Sequence, residues 1–166
     1  CGCQYSNSSD LADARTCHER GMAYSKQGDY SKALDWYQKA LNIQEKVLGK
    51  EHPDTATTYN NIAGVYDEQG DYSKALDWYQ KALNIREKVL GKEHPDTATT
   101  YNNIAGVYYE QGDYVKAKEF YLKAKKIFVN KLGPNHPSTK KTITHLKSIH
   151  EKTNETEPFE QWSNDN

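Results

Sequence analysis

The sequence predicts an all-α protein in which antiparallel helix pairs stack as a solenoid, with about three repeats and a C-terminal capping helix. The main observation is a repeat: residues 29–70 align with residues 71–112 at a period of 42 and differ from them at two positions. Such self-similarity is typical of solenoid proteins. The mean hydropathy of -1.02 is polar for a single compact core, and it favours an elongated molecule with much surface.

Each repeat encodes two helices, because its apolar residues follow a helical period twice. A first helix of about four turns is followed, after Gly70 and Asp71, by a second of about five turns. Gly70 suits the left-handed conformation that ends a helix, and the carboxylate of Asp71 suits the cap of the next one. The apolar face of the first helix comprises Ala56, Tyr59, Ile62, Ala63 and Tyr66.

The pattern divides the chain into an extension, a solenoid and a tail. We expect an N-terminal extension over residues 1–8, a solenoid over 9–152 and an acidic, aromatic tail over 153–166. The solenoid comprises repeats at about 11–50, 53–92 and 95–134 and a capping helix at 137–152. Lysines replace apolar residues in the last repeat and in the capping helix, and the ends of a solenoid need polar outer faces. They are Lys118, Lys125 and Lys147, in place of Leu76, Leu83 and Ala105.

Charge and hydropathy exclude some classes of protein. No apolar run approaches the roughly 20 residues that a membrane span needs, and no signal peptide is recognised, so we expect a cytoplasmic location. Ten lysines lie within residues 116–152, beside a tail that carries four acidic residues. Nucleic-acid binding ranks low, because the lysines lack interleaved aromatic residues and the acidic tail competes for them.

The three cysteines lie near the N-terminus, where His18 follows Cys17. Thiolates and imidazole are the ligands that zinc prefers, but the spacing of Cys1, Cys3 and Cys17 matches no standard finger. We therefore expect free thiols and no metal site, with a lipidated Cys1 as another alternative. The chain begins at Cys1 rather than Met, which indicates processing or a fragment.

A His-Pro run recurs at His52, His94 and His136, and it suggests either chemistry or a helix start. No Ser or Cys nucleophile repeats beside these histidines, and a period of two packed helices separates them too far for a shared metal. We predict no catalytic residue and no cofactor. Pro53 suits the first turn of a helix, so His52 is expected at the capping position.

These residues make the repeat resemble the tetratricopeptide repeat, and its 42-residue length resembles the kinesin light chain type. The Leu-Gly-x-x-His-Pro run at residues 48–53 recurs twice and is the mark of that type. The resemblance covers roughly residues 11–151 and implies a right-handed superhelix. The matching residues are Tyr59, Ile62, Ala63, Tyr66, Gly70, Ala75, Tyr79 and Ala82.

The resemblance also implies that the first helix of each repeat lines a concave groove that holds ligands. Asparagine amides both donate and accept, so they suit the backbone of an extended peptide. A competing interpretation is that these asparagines bond within the solenoid. Carried over by position, the groove residues are Arg15, Asn60, Asn61, Gly64, Asp67, Asn102, Asn103, Gly106, Tyr109, Lys141 and His145.

The expected function is a non-catalytic scaffold that binds a peptide or protein segment. The alternative is a regulatory or substrate-recruiting arm of a larger enzyme or signalling protein. Kinesin light chain repeats recognise peptides in which a tryptophan lies among acids, and the tail around Phe159 and Trp162 resembles such a peptide. The partner is then acidic with an aromatic anchor, or the tail docks on its own chain. The simpler alternative is that the tail aromatics cover the last helix.

Overall fold

The computed structural model describes residues 3–164, with side chains from residue 8 onward. The regular structure in this part of the chain is helical throughout, which confirms the predicted all-α class of successive helix pairs. The helices are α1 Cys3–Lys26, α2 Tyr30–Val47, α3 Pro53–Glu68, α4 Tyr72–Val89, α5 Pro95–Glu110, α6 Tyr114–Leu132, α7 Pro137–Lys152 and α8 Phe159–Trp162. Two compact units result: the N-terminal unit (residues 1–89) and the C-terminal unit (residues 90–166).

The N-terminal unit contains the pairs α1/α2 and α3/α4, each joined by a three-residue turn. Its core is formed by small and aromatic side chains that face each other between helices. Alanines allow the backbones to approach while tyrosines fill the remaining space. The buried cluster comprises Ala33, Tyr37, Leu41, Ala56, Tyr59, Ile62, Val65, Ala82 and Ile85.

Helix α1 is longer than the first helix of the other pairs. It begins at Cys3, so most of the stretch set apart as an N-terminal extension continues the helix. Neither Pro nor Gly occurs between Cys3 and Gly21 to end it. The additional turns are residues 3–10, and the turn that follows them places Leu11, Ala14 and Arg15 beside the start of α3.

The turn inside each pair has the predicted chemistry. Gly70 has a φ of 77°, a left-handed conformation that glycine adopts without a steric cost. The carboxylate of Asp71 then accepts the backbone N–H of Lys74 at 3.3 Å, which caps α4. The same bond to the third residue of the next helix is made by Asp29 at 3.2 Å and by Asp113 at 3.2 Å.

The His-Pro joints also form helix caps. The Nδ1 atom of His52 accepts the N–H of Asp54 at 3.0 Å, and that of His94 accepts the N–H of Asp96 at 3.0 Å. At His136 the donor is the N–H of Ser138, at 3.2 Å. The predicted capping role of His52 is therefore confirmed.

A buried threonine forms a hydrogen bond to the backbone at each of these joints. The Oγ1 of Thr55 donates to the carbonyl of Gly49 at 2.9 Å, and Thr97 and Thr139 make the equivalent bond at 2.8 Å. All three threonines are fully buried. Each hydroxyl satisfies a carbonyl that the end of the preceding helix leaves without a helical partner.

The C-terminal unit contains the pair α5/α6, the helix α7 and the short helix α8. Helix α7 is followed by a turn and then by α8, which packs against the apolar face that α6 and α7 share. The buried cluster of this unit comprises Ala105, Ala117, Tyr121, Leu146, Ile149 and Trp162. The tail therefore contributes one of the core residues of the unit.

Candidate functional site

In the N-terminal unit the predicted groove residues lie on the first helices of the two pairs. Arg15 is exposed on α1, where its Nε lies 3.1 Å from a carboxylate oxygen of Glu19. Half-buried side chains on α3 follow at Asn60, Asn61 and Asp67. The structure thus places polar groups on both first helices of this unit.

The imidazole of His18 connects these two helices. The Nδ2 atom of Asn61 lies 3.0 Å from His18 Nε2, and His18 Nδ1 lies 3.3 Å from the Oγ1 of Thr58. The Thr58 hydroxyl donates to Gln44 Oε1 at 2.6 Å. These four side chains form one hydrogen-bonded relay from the exposed face of α3 to the buried end of α2.

The relay requires a neutral imidazole. An amide nitrogen only donates, so His18 Nε2 accepts from Asn61, and the ring proton lies on Nδ1, from which it is donated to Thr58. Burial lowers the pKa of His18 below its ordinary value of 6.5, and the charges of Glu19 and Asp54 act in the opposite direction. Burial and hydrogen bonding therefore both favour the neutral imidazole.

A pocket of about 300 Å³ opens beside the relay. Apolar side chains of α1 and of Leu48, which follows α2, share its wall with polar side chains of α1, α2 and α3. This volume lies at the lower end of the range for small-ligand sites. The lining residues are Leu11, Ala14, Arg15, His18, Gln44, Leu48, Asp54 and Thr57.

In the C-terminal unit the predicted groove residues lie on α5 and α7. The Oδ1 atom of Asn102 accepts from the Thr142 hydroxyl at 2.8 Å, a pair at the same repeat positions as His18 and Thr58. The hydroxyl of Tyr109 lies 2.7 Å from Ser148 Oγ. Asn103 lies beside Asn102 on α5, half-buried, and Lys141 is exposed on α7.

His145 lies between two aromatic rings of this unit. Its ring stacks on Tyr121 with 5.1 Å between centroids, and Tyr109 approaches it edge-on at 6.4 Å. Burial lowers the pKa of His145, and the positive charge of Lys141 lowers that pKa further. The imidazole is therefore held in its neutral form, as it is at His18.

The bonds of Asn61 and Asn102 agree with the interpretation in which these asparagines bond within the solenoid. Each of these amides bonds within its own unit, as the competing interpretation expected, yet each side chain remains partly exposed. An asparagine amide can make up to four hydrogen bonds, so one internal bond orients it without exhausting its capacity.

Gly64 and Gly106 lie in the middle of α3 and α5, where glycine is unfavourable. A Cβ atom at Gly64 would lie 3.6 Å from the Tyr79 hydroxyl, and at Gly106 it would lie 3.7 Å from the Tyr121 hydroxyl. Both are ordinary van der Waals distances. At Gly21, by contrast, a Cβ would lie 2.7 Å from the ring of Tyr37. Close helix packing therefore requires glycine at position 21 but not at 64 or 106.

The roles of Gln44 and Thr58 were not predicted from the sequence. The available signal was the variation between near-identical repeats, because Gln44 stands at one of their two differences. At the matching position Arg86 is buried, and its Nη2 lies 3.3 Å from the hydroxyl of Thr57 on α3. This repeat position thus carries an amide that bonds α3 in one repeat, at Gln44, and a guanidinium that contacts α3 in the next, at Arg86.

The described part of the chain contains neither a cluster of metal ligands nor a helix that could span a membrane. Among side chains of residues 8–164, no group of three or more His, Cys, Asp or Glu comes together in a way that could hold a metal ion. Cys1 and the side chain of Cys3 lie outside the described residues. No helix of the described region is long and apolar enough to cross a membrane.

The tail contacts α6 and α7 through its two aromatic residues. Trp162 is 4% exposed, and the ammonium of Lys118 lies 4.0 Å above the centroid of its ring. His150 packs edge-on against both Phe159 and Trp162, and its Nε2 lies 2.6 Å from the carbonyl of Glu157. These contacts match the simpler alternative, in which the tail covers the last helix.

Lys118, Lys125 and Lys147, which replace Leu76, Leu83 and Ala105 of the repeat, all contact this tail. Besides Lys118 over Trp162, Lys147 lies 5.6 Å from the ring centroid of Phe159. The Nζ of Lys125 donates to the carbonyl of Ser163 at 3.3 Å and to its hydroxyl at 3.2 Å. Burial lowers the pKa of Lys125. The sequence predicted only a polar outer face at the end of the solenoid, whereas in the structure all three lysines contact the tail.

Comparison with known proteins gives the family. The sequence model of the tetratricopeptide repeat matches residues 10–88, 74–128 and 96–158. Comparison with curated protein sequences gives no match.

Three solved structures share the fold. BtubC (BKLC) from P. vanneervenii has a TM-score of 0.77 and 24% identity over 85% of this chain, which spans 56% of that protein. A protein of Podosopora anserina described as a kinesin light chain with nearly identical TPR-like repeats has a TM-score of 0.67 and 22% identity, over 90% of this chain and 81% of that one. The first TPR of Spaghetti (RPAP3), bound to the HSP90 peptide SRMEEVD, has a TM-score of 0.63 and 18% identity, over 87% and 96%. The family match and the helix pairs agree, and the chain therefore belongs to the tetratricopeptide repeat family.

Proposed function

We propose that this chain is a non-catalytic binding module that holds an extended peptide or protein segment against the first helices of its helix pairs. The observation that carries this proposal is the pair of glycines at 64 and 106. Glycine in a helix interior costs about 1 kcal/mol relative to alanine. Because a Cβ fits against the tyrosine behind each position, room for a ligand backbone in front of it is the remaining reason for glycine.

Oriented asparagines beside these glycines support the same proposal. Asn61 and Asn102 are each fixed by one bond to a neighbouring first helix of their own unit. Fixed amides lose little side-chain entropy when a ligand binds, so each new bond contributes more of its energy to affinity. The amide recognises main-chain groups, which makes the contact independent of the ligand sequence.

The partner we propose is an acidic segment with an aromatic anchor. In the C-terminal unit, Tyr109 and His145 expose aromatic edges between α5 and α7. The ammonium of Lys152 lies 5.9 Å from the Tyr109 ring, and Lys141 is exposed one turn before His145. Cationic and aromatic groups in this arrangement suit an acidic chain that carries an aromatic side chain. The HSP90 peptide SRMEEVD bound to one fold relative, Spaghetti (RPAP3), supports a peptide ligand with acidic residues, but it carries no aromatic anchor.

The test begins with a peptide array probed with the full chain, followed by affinity measurements on the best ligand. Asn61→Ala combined with Asn103→Ala is expected to weaken binding by about 2 kcal/mol, roughly thirtyfold in Kd, because two hydrogen bonds are lost. Thermal melting of the same variants shows whether the loss belongs to binding or to folding.

A matched control exists on the second helices. Asn42 and Asn84 are exposed on α2 and α4, where each accepts from a glutamine one turn earlier at 2.8 Å. Asn42→Ala combined with Asn84→Ala removes two asparagine amides from the second helices, which do not contact the ligand in this proposal. If this control weakens binding as much as the groove variant does, the proposal is wrong.

We infer that the tail is a cap of the last helices in this scheme rather than a competitor for the groove. Its contacts on α7 are at Lys147 and His150, and these point away from Lys141 and His145 at about 100° per residue. A chain that ends after Asn154 should therefore melt at a lower temperature and bind the array ligand with unchanged affinity. Tighter binding after truncation would instead make the tail an internal competitor.

A further inference from the structure

The face of α6 and α7 under the tail is a formed binding site with a known occupant. We call it the tail socket and define it by Lys118, Lys125, Leu146, Lys147 and His150. Leu146 provides a fully buried apolar floor, while the three lysines and the histidine provide cations and donors at its edge.

The occupant is small and has a definite chemistry. It is the segment 157–164, in which Phe159 and Trp162 lie three residues apart on one face of α8. The two aromatic rings meet lysines and the His150 ring, and two main-chain carbonyls, at Glu157 and Ser163, accept hydrogen bonds from His150 and Lys125. The socket therefore recognises an aromatic-x-x-aromatic turn, mostly through side-chain packing and main-chain acceptors.

The segment is held by the socket and not by its own helix. A helix of four residues is far too short to be stable alone in water. The connection to α7 is an exposed linker over residues 153–156, and Asn154 takes a left-handed conformation with a φ of 52°. The contacts that hold the segment are thus nearly all with residues that lie earlier in the chain than the linker.

We propose that the tail socket also binds the same segment of a second copy of this chain, so that two copies exchange tails. Exchange of an identical element is a low-cost route to a dimer, because every contact of the closed monomer is reproduced between the copies. The occupant is the tail itself, since its two aromatic rings already lie against Lys118, Lys147 and His150 in this structure.

The closed form dominates in dilute solution. A short linker gives the attached tail an effective concentration on the order of millimolar, so a second copy competes only at comparable concentrations. Weakening the attached tail should shift the balance toward a tail supplied from outside. That shift is what distinguishes an exchangeable site from a fixed core element.

The first experiment mixes two full-length variants. Trp162→Ala provides an intact socket with a weakened tail, and Lys118→Glu provides an intact tail with a damaged socket. Native mass spectrometry of the mixture should show a heterodimer, while each variant alone stays mostly monomeric. Masses separate the two chains, because the tryptophan substitution removes a large side chain.

The second experiment uses a labelled peptide of residues 155–164 as the probe. Fluorescence anisotropy should show saturable binding to the Trp162→Ala chain and much weaker binding to the unmodified chain, whose socket is occupied. A peptide with alanine in place of Trp162 should bind roughly a hundredfold more weakly, since it lacks the buried anchor.

Folding of the variants is the main control. If circular dichroism shows that Trp162→Ala is unfolded, Phe159→Ala takes its place, because Phe159 is only partly buried and its loss leaves the anchor in the core. The proposal is overturned if the peptide fails to bind a folded weakened-tail variant, or if the mixed variants form no heterodimer at concentrations near a millimolar.

Discussion

The Nδ2 atom of Asn61 lies 3.0 Å from the Nε2 atom of His18, and this bond exists only while the imidazole is neutral. A protonated ring carries hydrogen on both nitrogens, so its Nε2–H would face the N–H of the amide. The relay through Thr58 to Gln44 starts from this contact. Protonation of His18 therefore breaks this bond, and a bond to Asn61 forms again only if the amide rotates so that its oxygen accepts from the ring.

We predict that the N-terminal unit loses stability as pH falls below 6.5. Burial holds the pKa of His18 below its ordinary value of 6.5, so between these two pKa values the unfolded chain binds a proton that the folded chain does not. The free energy of unfolding then rises with pH across this window, and the contribution of His18 to it is fully present above pH 6.5. Urea unfolding at several pH values between 5 and 8 measures the slope.

His18→Asn is the matched control for this prediction, because Asn60 and Asn102 occupy the same position in the next two repeats. The amide can still bond Thr58, as Asn102 bonds Thr142, but it does not titrate. The variant should show a smaller slope than the wild type. Some slope remains, since burial also lowers the pKa of His145. Equal slopes in both proteins would contradict the role given to His18.

The helices and caps were predictable because their signals are local and recur in each repeat. Gly70 and Asp71 predicted the break between two helices, and the structure ends α3 at Glu68 and begins α4 at Tyr72. His52 before Pro53 predicted a cap, which forms. These features depend on residues within a few positions of each other, so no knowledge of tertiary packing is needed.

The contacts of the candidate site could not be predicted in this way. His18 and Asn61 are 43 positions apart, and Lys125 reaches Ser163 across 38. Near-identical repeats give no signal for such pairs, because the same residue can bond inside its repeat or to the next one. Lys118 and Lys125 marked an end of the pattern, but only packing could show that they contact the tail.

The capping histidines give a second prediction. His94 Nδ1 accepts the N–H of Asp96 at 3.0 Å, which satisfies one of the free donors at the start of α5. His94→Ala should lower the free energy of unfolding by about 1 kcal/mol, the usual loss for a removed N-cap. Chemical denaturation measures this change.

A second variant at the same position tests the reason. His94→Asn keeps a side-chain acceptor at a position that favours asparagine, so its stability should stay near that of the wild type. Addition of a chelator should leave all three proteins unchanged if capping is the whole role. A large loss with asparagine as well as with alanine would point to packing of the imidazole instead.

The glycines of the first helices give the third prediction, in which stability and binding change in opposite directions. Gly64→Ala combined with Gly106→Ala should stabilise the chain by about 1 kcal/mol per site, because alanine favours the helix and its Cβ meets only a tyrosine hydroxyl at an ordinary distance. The same methyl groups should weaken binding of an array-selected peptide, since they occupy the space proposed for its backbone. Urea unfolding and fluorescence anisotropy measure the two effects.

Gly21→Ala is the contrasting variant. Its Cβ would lie 2.7 Å from the ring of Tyr37, which is 3% exposed, so a loss of about 1 to 3 kcal/mol is expected from overpacking. The three substitutions share one chemistry and differ only in what lies beside the added methyl group. If the pair at 64 and 106 stabilises the chain and leaves peptide affinity unchanged, those glycines do not make room for a ligand.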